Sequence, residues 1–241
     1  MEPKMKRSFL LAMLGVVSPI GAAAQSFDGA FVSIETIGYP SNSNVGGVSY
    51  SGGAELSFGT SVGVSADLTI YNDEALYSNI TSSTVHAFFR PNSFAAIGAF
   101  YGAETYKELN NTLNGTFYGV EGRTSLDGIR IEAFWGESEG EVSEGSMFGI
   151  SGGYMFSSFG IAADYSVFDA GELSVDRLSI TGEWALDRGP ILYAGLGRLG
   201  GEFEDQRETE DFISLGVKIG MGPRAGTTFG PRSSAEVILG P

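Results

Sequence analysis

The chain has 241 residues, a formal charge of −15, one histidine and no cysteine. An acid excess of that size excludes nucleic acid as a partner, because the phosphate backbone would be repelled. The missing thiol excludes a disulfide framework, lipid attachment through cysteine and cysteine-based chemistry.

The first predicted element is a leader. Lys4, Lys6 and Arg7 precede an apolar run from Phe9 to Ile20, and Ala22, Ala23 and Ala24 follow it. That is the pattern of a secretory signal peptide over residues 1–24, cut after Ala24. The run is shorter than the ~20 apolar residues of a spanning helix. Loss of three bases and one acid (Glu2) with the leader takes the charge from −15 to −17.

From residue 25 onward the chain reads as strands. In the first, Phe31 and Val32 compete for one face, and a polar connection follows from Gly38 to Val45. Ser49, Ser51 and Gly53 then share a face. Between Ser61 and Tyr71 the alternation is strict: Val62, Val64, Ala66, Leu68 and Ile70 interleave with Ser, Gly, Asp, Thr and Tyr. A strand with one wholly apolar face needs a large nonpolar surface to lie against. No helix-period stretch supplies one, so the predicted solution is a sheet closed on itself, lipid outside and polar side chains inside. Gly is abundant (36) and Pro is not (8), which puts glycine within strands, where it is expected to leave open space in the lumen.

Tight turns are expected near Gly59–Ser61, Arg90–Asn92, Asp127–Gly128, Ser157–Ser158 and Asp187–Pro190. Longer polar loops are expected near Gly38–Val45, Asn72–Ser78, Glu104–Asn114, Glu137–Glu144, Asp169–Ser174 and Glu202–Thr209. Asp-Gly is a strong two-residue hairpin signal. It pairs Leu126 with Ile129, turns Tyr118, Val120, Ile131, Ala133 and Trp135 outward, and sets Arg123 opposite Glu132 inside. A Ser157–Ser158 turn likewise pairs Phe156 with Phe159. In the eleventh strand Leu192 and Tyr193 compete for the outer face. Tyr71, Trp135, Phe168 and Trp184, near strand ends, are expected in interfacial girdles.

The fold class is therefore all-β: a transmembrane antiparallel up-and-down β-barrel of about 12 strands over residues 25–221, with both ends on the short-turn side. Residues 222–241 carry Pro223, Pro231 and Pro241 among glycines. They are expected to form a flexible tail, periplasmic or disordered. The alternative is a plug in which Arg224 and Arg232 meet Glu55 or Asp164.

The last strand, Ser214-Leu215-Gly216-Val217-Lys218-Ile219-Gly220-Met221, is similar to the barrel-assembly signal of bacterial outer-membrane proteins. It departs by having Met221 where an aromatic residue is usual and by being followed by about twenty residues. From Phe27 to Met221 the chain resembles porin-like outer-membrane β-barrels. The resemblance implies a bacterial outer-membrane location, with lipid, lipopolysaccharide and the barrel-assembly machinery as partners.

Glu55, Asp67, His86, Arg90, Glu121, Arg123, Arg130, Glu132, Asp164, Arg177, Glu183 and Lys218 are expected to line the pore. His86 shares its face with Ser82 and Thr84, yet residues two apart on one strand do not make a nucleophile and base, so no catalytic residue is assigned. The acidic runs Glu137–Glu144 and Glu202–Asp211 lack calcium-loop spacing, so no metal or cofactor is assigned. The leading function is passive diffusion of small hydrophilic solutes with a preference for cations. The alternative is a closed barrel with a structural or surface-interaction role.

Overall fold

The computed structural model describes residues 25–73, 78–108, 111–141, 144–171, 173–187, 189–203, 206–234 and 237. The expected signal peptide lies outside these residues, as do Glu204 and Asp205. Twelve strands follow one another: β1 (Gln25–Tyr39), β2 (Asn42–Phe58), β3 (Val62–Asp73), β4 (Ser78–Phe89), β5 (Ala95–Glu108), β6 (Asn111–Leu126), β7 (Ile129–Gly140), β8 (Gly145–Phe156), β9 (Phe159–Ala170), β10 (Leu173–Ala185), β11 (Ile191–Phe203) and β12 (Gln206–Met221). Each pairs antiparallel with its sequence neighbours, and β12 returns to β1, so the sheet has no free edge. Closure satisfies the backbone groups within the sheet, which a lipid environment requires.

The outer face follows the sequence alternation. Val62, Leu68, Val85, Ile97, Val120, Ile131, Trp135, Ile150, Ile161, Ile180, Leu196 and Leu215 are all exposed, whereas Ser65, Asp67 and His86 are buried inside. An apolar belt this continuous is stable only in lipid. The two undecided strands settle by space. Phe31 points in and Val32 out, because Phe31 pairs with Gly53, whose missing side chain leaves room for its ring. On β11 Leu192 is exposed and Tyr193 turns inward, where Gly216 lies under its ring.

The Asp127–Gly128 turn has both residues at positive φ, 51° and 83°, with Leu126 opposite Ile129 and Arg123 opposite Glu132 as the spacing requires. Ser157 takes φ 59° and Phe156 pairs with Phe159. The other rim departs from expectation. The polar stretches are mostly strand: β1 and β2 are separated only by Pro40 and Ser41, and β5 ends at Glu108 where β6 starts at Asn111. Beyond the membrane both faces meet water, so the ladder continues while the apolar alternation stops. Two girdle assignments fail as well. Trp135 and Trp184 lie on the lipid face, but Tyr71 and Phe168 are buried in the interior.

Gly153 lines open space near the turn-side rim, but Gly102 and Gly149 do not leave any. A Cβ on Gly102 would stand 2.0 Å from the Phe117 ring, and one on Gly149 would stand 2.2 Å from that of Phe134. Each of these two is a recess filled by an aromatic ring from the next strand.

Residues 222–234 do not hang from the barrel. After Met221 the chain turns at Gly222 (φ 79°) and Ala225 (φ 52°), with the Arg224 amide donating to the Asp28 carbonyl at 2.9 Å. It then crosses the rim over Gly29 and Gly220. A Cβ on either would lie 2.3 Å or 2.1 Å from the carbonyl oxygen of Gly226 or Ala225. Inside, Thr228, Phe229, Arg232 and Ser234 are buried. The expectation of a free tail is thus corrected: buried carboxylates and rings of the wall bind the segment within the lumen.

Candidate functional site in the barrel interior

All twelve residues expected on the inner face point inward, but the structure sorts them into two groups. Along β2 to β7 they meet the C-terminal segment. Glu55, fully buried, holds Arg90 by an ion pair and accepts from the Thr228 amide at 2.5 Å and the Thr228 hydroxyl at 3.0 Å. Arg90 also donates to the Thr228 hydroxyl (2.8 Å) and lies 3.1 Å from Asp28. Arg123 donates to the Thr228 carbonyl. Arg232 places one terminal nitrogen between Glu121, at 3.1 Å, and Glu132, with its guanidinium 4.5 Å over the Phe134 ring. Glu132 further accepts from the Gly230 amide at 3.2 Å.

His86 is enclosed in this group. Its Nδ1 is 2.7 Å from Glu121 and its Nε2 is 2.7 Å from Asp67. Both contacts are hydrogen bonds when the ring carries two protons, which makes it a cation between two carboxylates. The ring of Phe229 stacks on it, centroids 6.2 Å apart. Ser82 and Thr84, on the same face, donate to the Arg232 carbonyl at 3.4 Å and 2.8 Å. Histidine and hydroxyls are therefore engaged separately and do not form a nucleophile–base pair.

The opposite group lies on β7 and β9 to β12, away from these contacts. Arg177 donates to Asp164 at 3.2 Å, Arg130 is 3.7 Å from Glu183, and Lys218 lies 4.5 Å over the Phe31 ring. These pairs are wetter: the Arg130 and Asp164 side chains are 46% and 34% exposed. A cavity of ≈160 Å³ at the turn-side rim is lined by Arg123, Arg130, Gly153, Met155 and Glu183, among others.

Sequence reasoning missed several members of the interior. Glu35 accepts from the Tyr193 hydroxyl at 3.0 Å, and Glu104 accepts from the Ser234 amide at 2.6 Å. Glu35 follows from the facing of β1 once Phe31 is fixed inward. Glu104 opens a polar stretch that reads as a loop, although it shares the face of Phe100 four residues earlier on β5. For Thr228, Phe229 and Ser234 no local signal exists, since the Pro- and Gly-rich segment has no period.

No protein-family model and no curated protein matches the chain. Among solved structures it is similar to the KdgM porin (TM-score 0.57, 13% identity, 78% of this chain and 97% of that one). The same porin in complex with disordered oligogalacturonate gives TM-score 0.57 and 12% identity, over 79% and 97% of the two chains. An outer membrane channel from Pseudomonas putida F1 gives 0.58 and 11%, covering 85% of this chain and all of the other (100%). At these identities the likeness is one of fold. Together with the apolar outer belt, that fold makes the chain a membrane-spanning antiparallel β-barrel of twelve strands.

Proposed function

We propose that the barrel is a passive diffusion channel for small hydrophilic solutes and that it prefers cations. The observation that carries this reading is the sign of the inner wall. Asp28, Glu35, Glu55, Asp67, Glu104, Glu121, Glu132, Asp164 and Glu183 face inward, against Arg90, Arg123, Arg130, Arg177, Lys218 and His86 on the wall and Arg224 and Arg232 on the C-terminal segment, so carboxylates stay in excess even with the segment in place. A low-dielectric tube with excess carboxylates concentrates cations and repels anions. One similar porin was solved with oligogalacturonate, an acidic saccharide; the acid excess here argues against such a polyanion as this chain's solute.

The same reading puts the turn rim in the periplasm, gives β12 to the barrel-assembly machinery as its signal, and sets the acidic strand ends against lipopolysaccharide. Support comes from the length of the strands beyond the belt on one side and from β12 being the strand that closes on β1. A second reading, a closed structural barrel, is favoured by the C-terminal segment inside the lumen. Planar-bilayer recording separates them. Current with a reversal potential on the cation side is expected in a salt gradient; an anion-side potential rejects the preference, and no current rejects the channel.

A further inference from the structure

The C-terminal segment enters the interior without joining the sheet. Among the described residues, its only backbone–backbone hydrogen bonds are those of Arg224 and Ala225 at the rim. Beyond Ala225 it is held through wall side chains and the side chains of its own residues, so it can leave without any strand bond breaking. Residues 222–225 are exposed and supply the hinge.

The deepest charged contact is that of Arg232. Its side chain is 6% exposed, and its guanidinium sits between Glu121 (0% exposed) and Glu132, 4.5 Å over the Phe134 ring. Two carboxylates beside an aromatic face make a receptor for a planar, delocalised cation. A compact ammonium gains the charge attraction and can stand where one terminal nitrogen of Arg232 stands, but it has no delocalised planar group to extend over the Phe134 ring. Removing Arg232 would take an ion-pair partner from both Glu121 and Glu132, leaving His86, already shared between Glu121 and Asp67, and Arg123, opposite Glu132 on β6, as the nearest cations, an arrangement that favours a replacement charge.

We propose that Glu121, Glu132 and Phe134 form a guanidinium-binding subsite of the channel, occupied at rest by the chain's own Arg232, so that the C-terminal segment is an internal competitor displaced by guanidinium-bearing solutes. This deepens the channel reading above and rests on it for transport, though not for binding.

The test uses the full chain. Because the chain has no cysteine, Gly230→Cys gives one thiol beside the subsite, and a Cβ there meets nothing closer than 3.6 Å. Reaction of this folded variant with a charged thiol reagent is followed with agmatine or with 1,4-diaminobutane, which carries ammonium groups alone. Agmatine should raise the labelling rate about five- to tenfold, and the diamine much less. An Arg-Arg dipeptide run in parallel tells a peptide source from a small amine; displacement by either upholds the subsite. Adding Arg232→Ala should give fast labelling without agmatine; if that variant does not fold, Arg232→Lys should give an intermediate rate. Unchanged labelling with agmatine, or an equal response to the diamine, overturns the proposal. Bilayer currents keep the readings apart. Labelling that responds in a protein that never conducts upholds the subsite and rejects the channel, whereas current with unresponsive labelling rejects the subsite alone.

Discussion

The two inner walls of this barrel are built from the same residue types and do different things with them. Along β2 to β7, carboxylates, arginines and the histidine are closed off by the C-terminal segment, each charge fixed by buried partners at hydrogen-bond distance. On the other side the pairs Arg177–Asp164, between β10 and β9, and Arg130–Glu183, between β7 and β10, are longer and partly wet. The difference teaches that strand alternation assigns a side chain to the inside but not to a medium: one inner wall behaves as protein core, the other as a channel surface.

Glu55 and Asp164 give the largest contrast. Glu55→Gln strands Arg90 and two donors of Thr228 in a dry site and should destabilise the folded barrel by about 3–5 kcal/mol. Asp164→Asn should cost less, about 1–2 kcal/mol, because Asp164 is 34% exposed although Arg177 opposite it is buried. Urea midpoints in lipid vesicles measure both, and equal losses would erase the distinction.

Arginine insertion sharpens it. Ala66→Arg on the lipid face should cost ~2–4 kcal/mol near mid-membrane. Ser65, one residue away, is wedged between Glu55 and His86, so inward facing does not make Arg tolerable there. Ser151, opposite Glu132 and Asp164, should accept it. The fraction of each variant that folds in vesicles ranks the three.

Added methyl groups make a smaller probe. Gly220→Ala meets the backbone of Ala225 and should cost about 1–3 kcal/mol, or expel the C-terminal segment. Gly195→Ala meets the hydroxyls of Ser214 and Thr181, which can rotate, and should cost under about 1 kcal/mol. Protease sensitivity of residues beyond 221 should rise for the first and stay unchanged for the second.

The smallest effect concerns ion preference. Glu183→Gln on the wet wall should lower cation over anion permeability, visibly at about 0.1 M salt, where screening extends ~10 Å, and little at about 1 M, where it is ~3 Å. Glu183→Gln with selectivity unchanged at low salt would remove this wall from the conduction path.

The legible part of the fold is the part with a period. Val62 to Ile70 and the Asp127–Gly128 turn fix facing and register, because lipid on one side makes every second position costly to change. The polar strand ends Glu104–Glu108, Asn111–Asn114, Asp169–Ala170 and Leu173–Ser174 were illegible as strand, since water on both faces removes that constraint while hydrogen bonding persists. The division of the interior was illegible for another reason. Glu55 meets Thr228 and Glu132 meets Arg232 across 173 and 100 positions of chain, and nothing local marks either end. Glycine misled in one respect: Gly53 and Gly149 read as room for solute, and the rings of Phe31 and Phe134 take that room.

The rim crossing at Gly29 and Gly220 has a mechanical consequence. These residues belong to β1 and β12, the two strands whose pairing seals the cylinder. Arg224 reaches from the end of β12 to Asp28 on β1 by a backbone bond of 2.9 Å and a side-chain bond of 3.0 Å. The segment is thus a clasp over the seam. Peeling the two strands apart from the turn side has to open the clasp before the first ladder bond yields, so force applied laterally at that end meets its greatest resistance at the outset.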